Sequence, residues 1–119
     1  MRIYLAGPMR GVKYYNFPEF DKVARFYERM GDTVLNPAQM DRDVGFDAMK
    51  LQENSDWDAI PEQFSFKDCV KRDLDAIQTC DAIHMLAGWE RSMGAKAEKA
   101  VAEWLGLKVF FTEDLTWNG

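Results

Sequence analysis

Apolar positions along the chain switch between two patterns, short continuous runs and a recurrence every three or four residues. Arg2-Ile3-Tyr4-Leu5-Ala6 is a short apolar run ended by Gly7-Pro8, which predicts a buried strand opening into a loop. Asn16-Phe17-Pro18-Glu19 then offers an Asn N-cap, a proline in the first turn and a Glu at the capping-box position. Phe20, Val23, Ala24, Tyr27 and Met30 continue this helix at helical spacing, and Gly31 stops it. Thr33-Val34-Leu35 reads as a second strand, closed by Asn36-Pro37. From Ala38 to Phe64 the pattern degrades into Asp41, Asp43, Asp47, Glu53, Asp56, Asp58 and Glu62 among Met, Phe and Trp, a long connection with room for one short helix. An insertion of that length is either a functional lid or mobile loop, or a solvated acidic excursion.

Periodicity returns at Ser65-Phe66-Lys67-Asp68, which has the form of a second capping box. Phe66, Cys69, Val70, Leu74 and Ile77 predict an amphipathic helix to about Thr79. Asp81 to Leu86 is a third strand, followed by the loop Ala87-Gly88-Trp89-Glu90-Arg91 and by Ser92, an N-cap. The helix beyond it places Ala97, Val101, Trp104 and Leu105 inward, stops at Gly106, and leads into the strand Leu107 to Phe111. The order βαβαβαβ predicts a single α/β domain over residues 1–119, a flavodoxin-like or Rossmann-like three-layer sandwich on a four- to five-stranded parallel sheet. In the flavodoxin-like order the second strand lies outside the first, and the third and fourth lie on the other side. Gly7 to Gly11 then meets Gly88 to Gly94 in a crevice at the carboxyl ends of the strands. The second of these loops runs into a helix amino terminus, where unpaired N–H groups favour an anion.

Composition narrows the choice of partner. With 47% apolar and 29% charged residues in 119, the chain has material for one globular core. No apolar run approaches the roughly 20 residues that span a bilayer, and the amino terminus lacks the apolar region of a secretory signal, so a cytoplasmic protein with no membrane contact is expected. Fifteen basic against twenty acidic residues leave a net charge of −5 and no basic stripe, which argues against a nucleic-acid polymer. A single small anion remains compatible. Two cysteines, Cys69 and Cys80, and one histidine, His84, are too few for a zinc site, and no metal is expected. The cysteines, eleven residues apart, lie about three turns from each other on one helix and read as packing residues.

Two carboxylates sit uneasily in a structural account. Asp73 is four residues after Cys69 and four before Ile77, inside the apolar stripe; Glu98 is at the edge of the buried stripe of the last helix, whereas Lys96, Lys99 and Glu103 point away. An acid facing the sheet is costly unless a neighbour satisfies it or function requires it. Tyr4 lies close to the crevice and could donate to such a carboxylate, or stand as a core aromatic with its hydroxyl at the rim. Arg10, between Met9 and Gly11, is either solvated or a phosphate ligand beside Ser92 and the Gly94 amide. Trp89 could stack on a flat ring, anchor the surface or touch another subunit. His84, inside a buried strand, reads as a satisfied core histidine.

Three segments carry a family resemblance: Ile3-Tyr4-Leu5-Ala6-Gly7-Pro8-Met9-Arg10-Gly11, the pair Arg72-Asp73 before Asp81, and Ser92-Met93-Gly94-Ala95-Lys96-Ala97-Glu98. In this order and spacing they resemble the nucleoside 2-deoxyribosyltransferase superfamily, and within it a small, often phage-borne group. The likeness weakens between Asp41 and Phe64 and after Phe111. It implies that Glu98 is the nucleophile attacking the anomeric carbon of a deoxyribosyl group, a role that requires an ionised carboxylate. The ordinary glutamate pKa of about 4.3 is expected to ensure this at neutral pH. It further implies that Tyr4 orients Glu98 and that Asp73 hydrogen-bonds the base or helps protonate it as it leaves.

One departure separates two branches of that superfamily. The transferases carry an aspartate six residues before the nucleophile, where it holds the free 5′-hydroxyl; here that position is Ser92. The branch that hydrolyses nucleoside 5′-monophosphates has a serine there and a Gly-x-x-Arg-Gly loop, as in Gly7 to Gly11. A serine and an arginine suit a phosphate, which an aspartate would repel. The resemblance therefore implies hydrolysis of a 2′-deoxynucleoside 5′-monophosphate, without metal or organic cofactor. Gly7, Arg10, Gly11, Ser92, Gly94 and Trp89 would contact substrate. Base exchange by a deoxyribosyltransferase is the enzymatic alternative. A nucleotide-binding module without turnover is another, and an interaction protein using Trp89, Trp104 and Trp117 a third. The superfamily's habit implies a homodimer or larger homo-oligomer.

Overall fold

Strands β1 (Arg2–Ala6) and β3 (Ala82–Met85) occupy the centre of the sheet, and both are almost wholly buried, which is why they read as unbroken apolar runs. β2 (Thr33–Leu35) flanks β1 and β4 (Lys108–Phe111) flanks β3, giving four parallel strands in the order β2-β1-β3-β4 among the residues 1–115 that the computed structural model describes. Trp117 lies outside the described residues. The helices are α1 (Phe17–Arg29), α2 (Pro37–Asp43), α3 (Phe66–Ile77) and α4 (Met93–Trp104). The order matches the flavodoxin-like expectation, with β2 outside β1 and the switch point between β1 and β3.

Alternation along the central strands sorts the core into two layers. Ile3, Leu5, Ala82 and Leu86 face Phe17, Phe20, Val23, Ala24 and Tyr27 of α1. Tyr4, Ala6, Ile83 and Met85 face Ile77, at the end of α3, and Ala95 and Ala102 of α4. His84 belongs to the α1 face, where Nδ1 meets the Tyr27 hydroxyl at 2.7 Å and Nε2 meets the Thr112 hydroxyl at 2.8 Å. Burial holds its pKa down at about 4, so it is a neutral, satisfied core histidine. Among the described residues no helix is long and apolar enough to cross a membrane.

Several local expectations are corrected. Asn16 does not cap α1: its backbone is left-handed at φ 63°, and its side chain donates to the Pro8 carbonyl at 2.8 Å, tying the first loop to the helix start. Tyr14 and Tyr15 are also left-handed, making one turn of the wrong hand before α1. The connection after β2 begins with α2, capped by the Asn36 side chain on the Ala38 amide and started by Pro37. α2 is part of the fold, packed on α1 and tied to it by the bidentate ion pair of Arg42 with Asp21. The remainder of the segment lies against the body. Phe46 and Ala48 are buried, Trp57 packs edge-on to Tyr15, and the Tyr15 hydroxyl donates to the Ala59 carbonyl at 2.6 Å.

The outer helices also differ from their predicted faces. Ala95, Glu98 and Ala102 turn inward on α4, whereas Ala97 is exposed and Trp104 is 89% exposed. Lys99 does not point away; its ammonium lies 5.3 Å from the centre of the Trp89 ring. On α3, Phe66 and Val70 are exposed, and at the end of α1 so is Met30. Cys69 lies in α3, but Cys80 follows the end of that helix; both are free thiols.

Candidate active site

At the middle of β1, Tyr4 points toward the helical layer of α3 and α4 with no accessible surface. Its hydroxyl donates to Glu98 Oε2 at 2.6 Å, bridging β1 to α4. The inward register of α4 explains the meeting, because Ala95 and Ala102 leave room for the helix to approach the sheet while Glu98 reaches between them. Asp73 faces the same space from α3 and acts through its charge on both members of the pair. Beside it, Arg72 donates through Nε to Asp73 Oδ1 at 3.0 Å and through Nη1 to Asp41 Oδ1 at 2.8 Å. Three carboxylates from three helices, one phenol from the sheet and one guanidinium thus form a continuous cluster.

Its charge balance corrects one expectation. Burial, and next the nearby Asp73 carboxylate, push the Glu98 pKa up to about 8, against the pull of the Tyr4 hydrogen bond and the Arg72 charge. Glu98 is therefore protonated at neutral pH in the resting protein, not ionised as the free amino acid would be. Burial likewise raises Asp73, with Arg72 opposing, and raises Asp41, again with Arg72 opposing. Tyr4 is pushed well above the usual phenol range by burial, then by Glu98 and Asp73. Burial works against the Arg72 cation, but its bonds to the two aspartates outweigh that and hold it charged. One cation cannot neutralise three buried carboxylates, so the group least directly paired with it keeps its proton.

The two loops at the strand ends come together as expected. A Cβ on Gly7 would lie 2.7 Å from Leu86 Cβ, so glycine is needed there for close packing of the loops, and Gly88, beside the Pro8 ring, holds φ at +87°. Ser92 caps α4 by accepting the Ala95 amide at 3.1 Å, leaving its hydroxyl proton to donate. Gly94 is in the first turn, where its amide has no acceptor within the helix. Arg10 is exposed at the tip of the first loop and makes no ion pair among the described residues. The Gly11 amide is engaged within the fold. That amide already donates to the Trp57 carbonyl at 2.7 Å, with φ at +88°. Trp89 leans on Phe111 at 5.9 Å between ring centres and under Lys99, lining a cavity of about 160 Å³ between the ends of β3 and β4. Trp89 packs against the same layer of side chains that holds Tyr4.

Sequence reasoning singled out Tyr4, Asp73 and Glu98 but not Asp41, which it left in a connection read as either a lid or mobile loop or a solvated acidic excursion. The available signal was Asn36-Pro37, an N-cap and first-turn proline that start a helix and so place Asp41 one turn in. Among the described residues, no group of three or more His, Cys, Asp or Glu side chains is arranged to hold a metal ion. The model of a family described as a domain of unknown function, DUF4406, matches residues 1–111, a span that includes β1 to β4, α1 to α4 and the whole cluster. No curated protein matches the chain.

Proposed function

The chain belongs to the DUF4406 family, whose function is unknown, and from its buried cluster we propose that it hydrolyses the N-glycosidic bond of a 2′-deoxynucleoside 5′-monophosphate. The observation that carries this reading is the 2.6 Å bond from the Tyr4 hydroxyl to Glu98 with Asp73 beside it. The segments around these residues resemble the nucleoside 2-deoxyribosyltransferase superfamily, where such a carboxylate is the nucleophile.

Chemically, the ionised Glu98 carboxylate attacks C1′ as the bond to the base breaks. The electron pair leaves with the base nitrogen, which takes a proton from solvent while the Asp73 carboxylate hydrogen-bonds the base. Water then adds to C1′, losing a proton to the Asp73 carboxylate, which returns it to solvent, and displaces Glu98 as carboxylate, so the sugar keeps its configuration. The Tyr4 hydroxyl holds one Glu98 oxygen and so directs the other toward the sugar. The Ser92 hydroxyl, the Gly94 amide and Arg10 are the donors proposed for the 5′-phosphate, at a helix amino terminus suited to an anion. Because Glu98 must lose its proton first, kcat/KM rises with pH until about pH 8 and then levels.

The enzyme works as a homo-oligomer in this reading. Support comes from the outer side of the α3 and α4 layer, where Phe66, Val70, Met93, Trp104 and Leu105 are all exposed. The central test is incubation with a panel of deoxynucleoside 5′-monophosphates and free deoxynucleosides, following base release by chromatography. Release from a monophosphate, lost in Glu98→Ala, is the expected result. Silence across the panel, with a second base also offered as acceptor, would refute turnover and leave a binding or interaction domain.

A further inference from the structure

Arg72 sits in a position that the reaction outlined above does not use. It is the single cation in the cluster, it lies on α3 one residue before Asp73, and it is fixed at both ends, by Asp41 of α2 at 2.8 Å and by Asp73 at 3.0 Å. The Asp41 side chain is 11% exposed, so this ion pair is largely shielded from water. Groups facing Glu98 are Tyr4 from β1 and Asp73 and Arg72 from α3; Asp41 from α2 reaches it through Arg72. We propose that Arg72 is a positioning residue that sets both the placement of Asp73 and the charge state of Glu98, and that Asp41 tunes it by sharing its charge.

The physical argument is one of competition. A guanidinium held between two carboxylates gives each of them part of its charge and leaves less for a third. Removing Arg72 leaves Glu98 facing only carboxylates and a phenol. Removing the Asp41 charge has the opposite effect, because the guanidinium then acts more fully on Asp73 and Glu98. A merely structural role for the pair would move both variants in the same direction, toward a looser and wetter site. Opposite signs therefore distinguish electrostatic tuning from packing.

This inference deepens the hydrolase reading and is tested apart from it. Carboxyl carbons of labelled glutamate are titrated by NMR in the wild type and in Arg72→Gln, Arg72→Lys and Asp41→Asn, without substrate. The Glu98 midpoint is expected to rise in Arg72→Gln, to stay nearer the wild type in Arg72→Lys, and to fall in Asp41→Asn. In the base-release assay at pH 7, kcat/KM should fall in Arg72→Gln and rise in Asp41→Asn, by up to tenfold for each pH unit that the midpoint moves. An unmoved midpoint in Arg72→Gln, or a rise in both charge variants, overturns the proposal. Should Arg72→Gln fail to fold, Arg72→Lys and Asp41→Asn carry the test, and a Glu98 midpoint in Asp41→Asn at or above the wild-type value refutes it. Absence of base release in the wild type would instead remove the hydrolase reading while leaving the titration result to stand.

Discussion

Glu98 carries the tension between stability and chemistry in this protein. Its pKa of about 8 means that the folded state holds a proton which the unfolded chain releases near the ordinary glutamate value of about 4.3. Stability from this group is fully present below that ordinary value and declines as pH rises toward 8, at about 1.4 kcal/mol per pH unit. Glu98→Gln keeps the shape and the Tyr4 bond without a titrating proton. The variant should be more stable than the wild type at pH 7, by on the order of 3 kcal/mol in chemical denaturation, and should lose all base release. Equal stability at pH 7 would show that Glu98 is ionised after all. Tyr4→Phe removes a bond that favours the charged carboxylate, so its pH profile should shift to the alkaline side of the wild type. The pattern placed Tyr4 beside the crevice and Glu98 at the edge of a buried stripe, and their partnership was what the family resemblance implied. The protonation state was not legible in the sequence, because it depends on burial and then on Asp73 and Arg72 arriving from another helix.

At the scale of elements, the start of α4 separates capping from binding. Ser92 accepts the Ala95 amide, and its replacement by Ala should cost about 1 kcal/mol of stability. Ser92→Asp preserves an acceptor at the cap and suits the helix dipole, so its thermal midpoint should stay close to that of the wild type. A second negative charge there would repel a phosphate, and the preference for a 5′-monophosphate over the free deoxynucleoside should fall at least tenfold, about 1.4 kcal/mol. An unchanged preference would remove Ser92 from the phosphate site. Helix boundaries were legible wherever caps and glycines agreed, as at Ser65, Ser92, Gly31 and Gly106. Asn16 misled because the same side chain that caps helices also bonds a nearby loop carbonyl, here that of Pro8. Helix faces were harder to read. In α4 the apolar residues form a broad band, and the small side chains Ala95 and Ala102 turned inward because they let the helix sit close to the sheet.

For the whole molecule, two buried groups with opposite linkage shape stability against pH. His84, held down at about 4 against an ordinary value of 6.5, contributes stability above pH 6.5 that is lost as pH falls through 4. Glu98 contributes in the reverse sense between about 4.3 and 8. Their slopes offset between roughly pH 4.5 and 6.5, and Glu98 acts alone above that. The thermal midpoint should therefore be nearly level from pH 5 to 6.5 and fall toward pH 8, while that of Glu98→Gln should rise from pH 5 to 6.5, where His84 is unopposed, and then stay level to pH 8. A wild-type midpoint that rises across pH 6.5 to 8 would contradict this account. The exposed apolar residues of the α3 and α4 layer belong to the same scale. Sedimentation should show a dimer or larger assembly, reduced to monomer by Trp104→Glu, and a wild-type monomer at every concentration would exclude the proposed oligomer.

What the sequence determined by itself was local and periodic: four apolar runs, the helices between them, their parallel order, and two acids misplaced on apolar stripes. These follow from backbone geometry and from the alternation of side chains, which act over a few neighbouring residues. The tertiary structure decided what depends on distant chain segments meeting. It brought α2 into the site, joined Asp41 to Arg72 across thirty-one positions, committed the Gly11 amide to Trp57 and closed Tyr4 onto Glu98. Burial and charge at such meeting points are sums over space, not over sequence, and so the proton on Glu98 became visible only once the chain was folded.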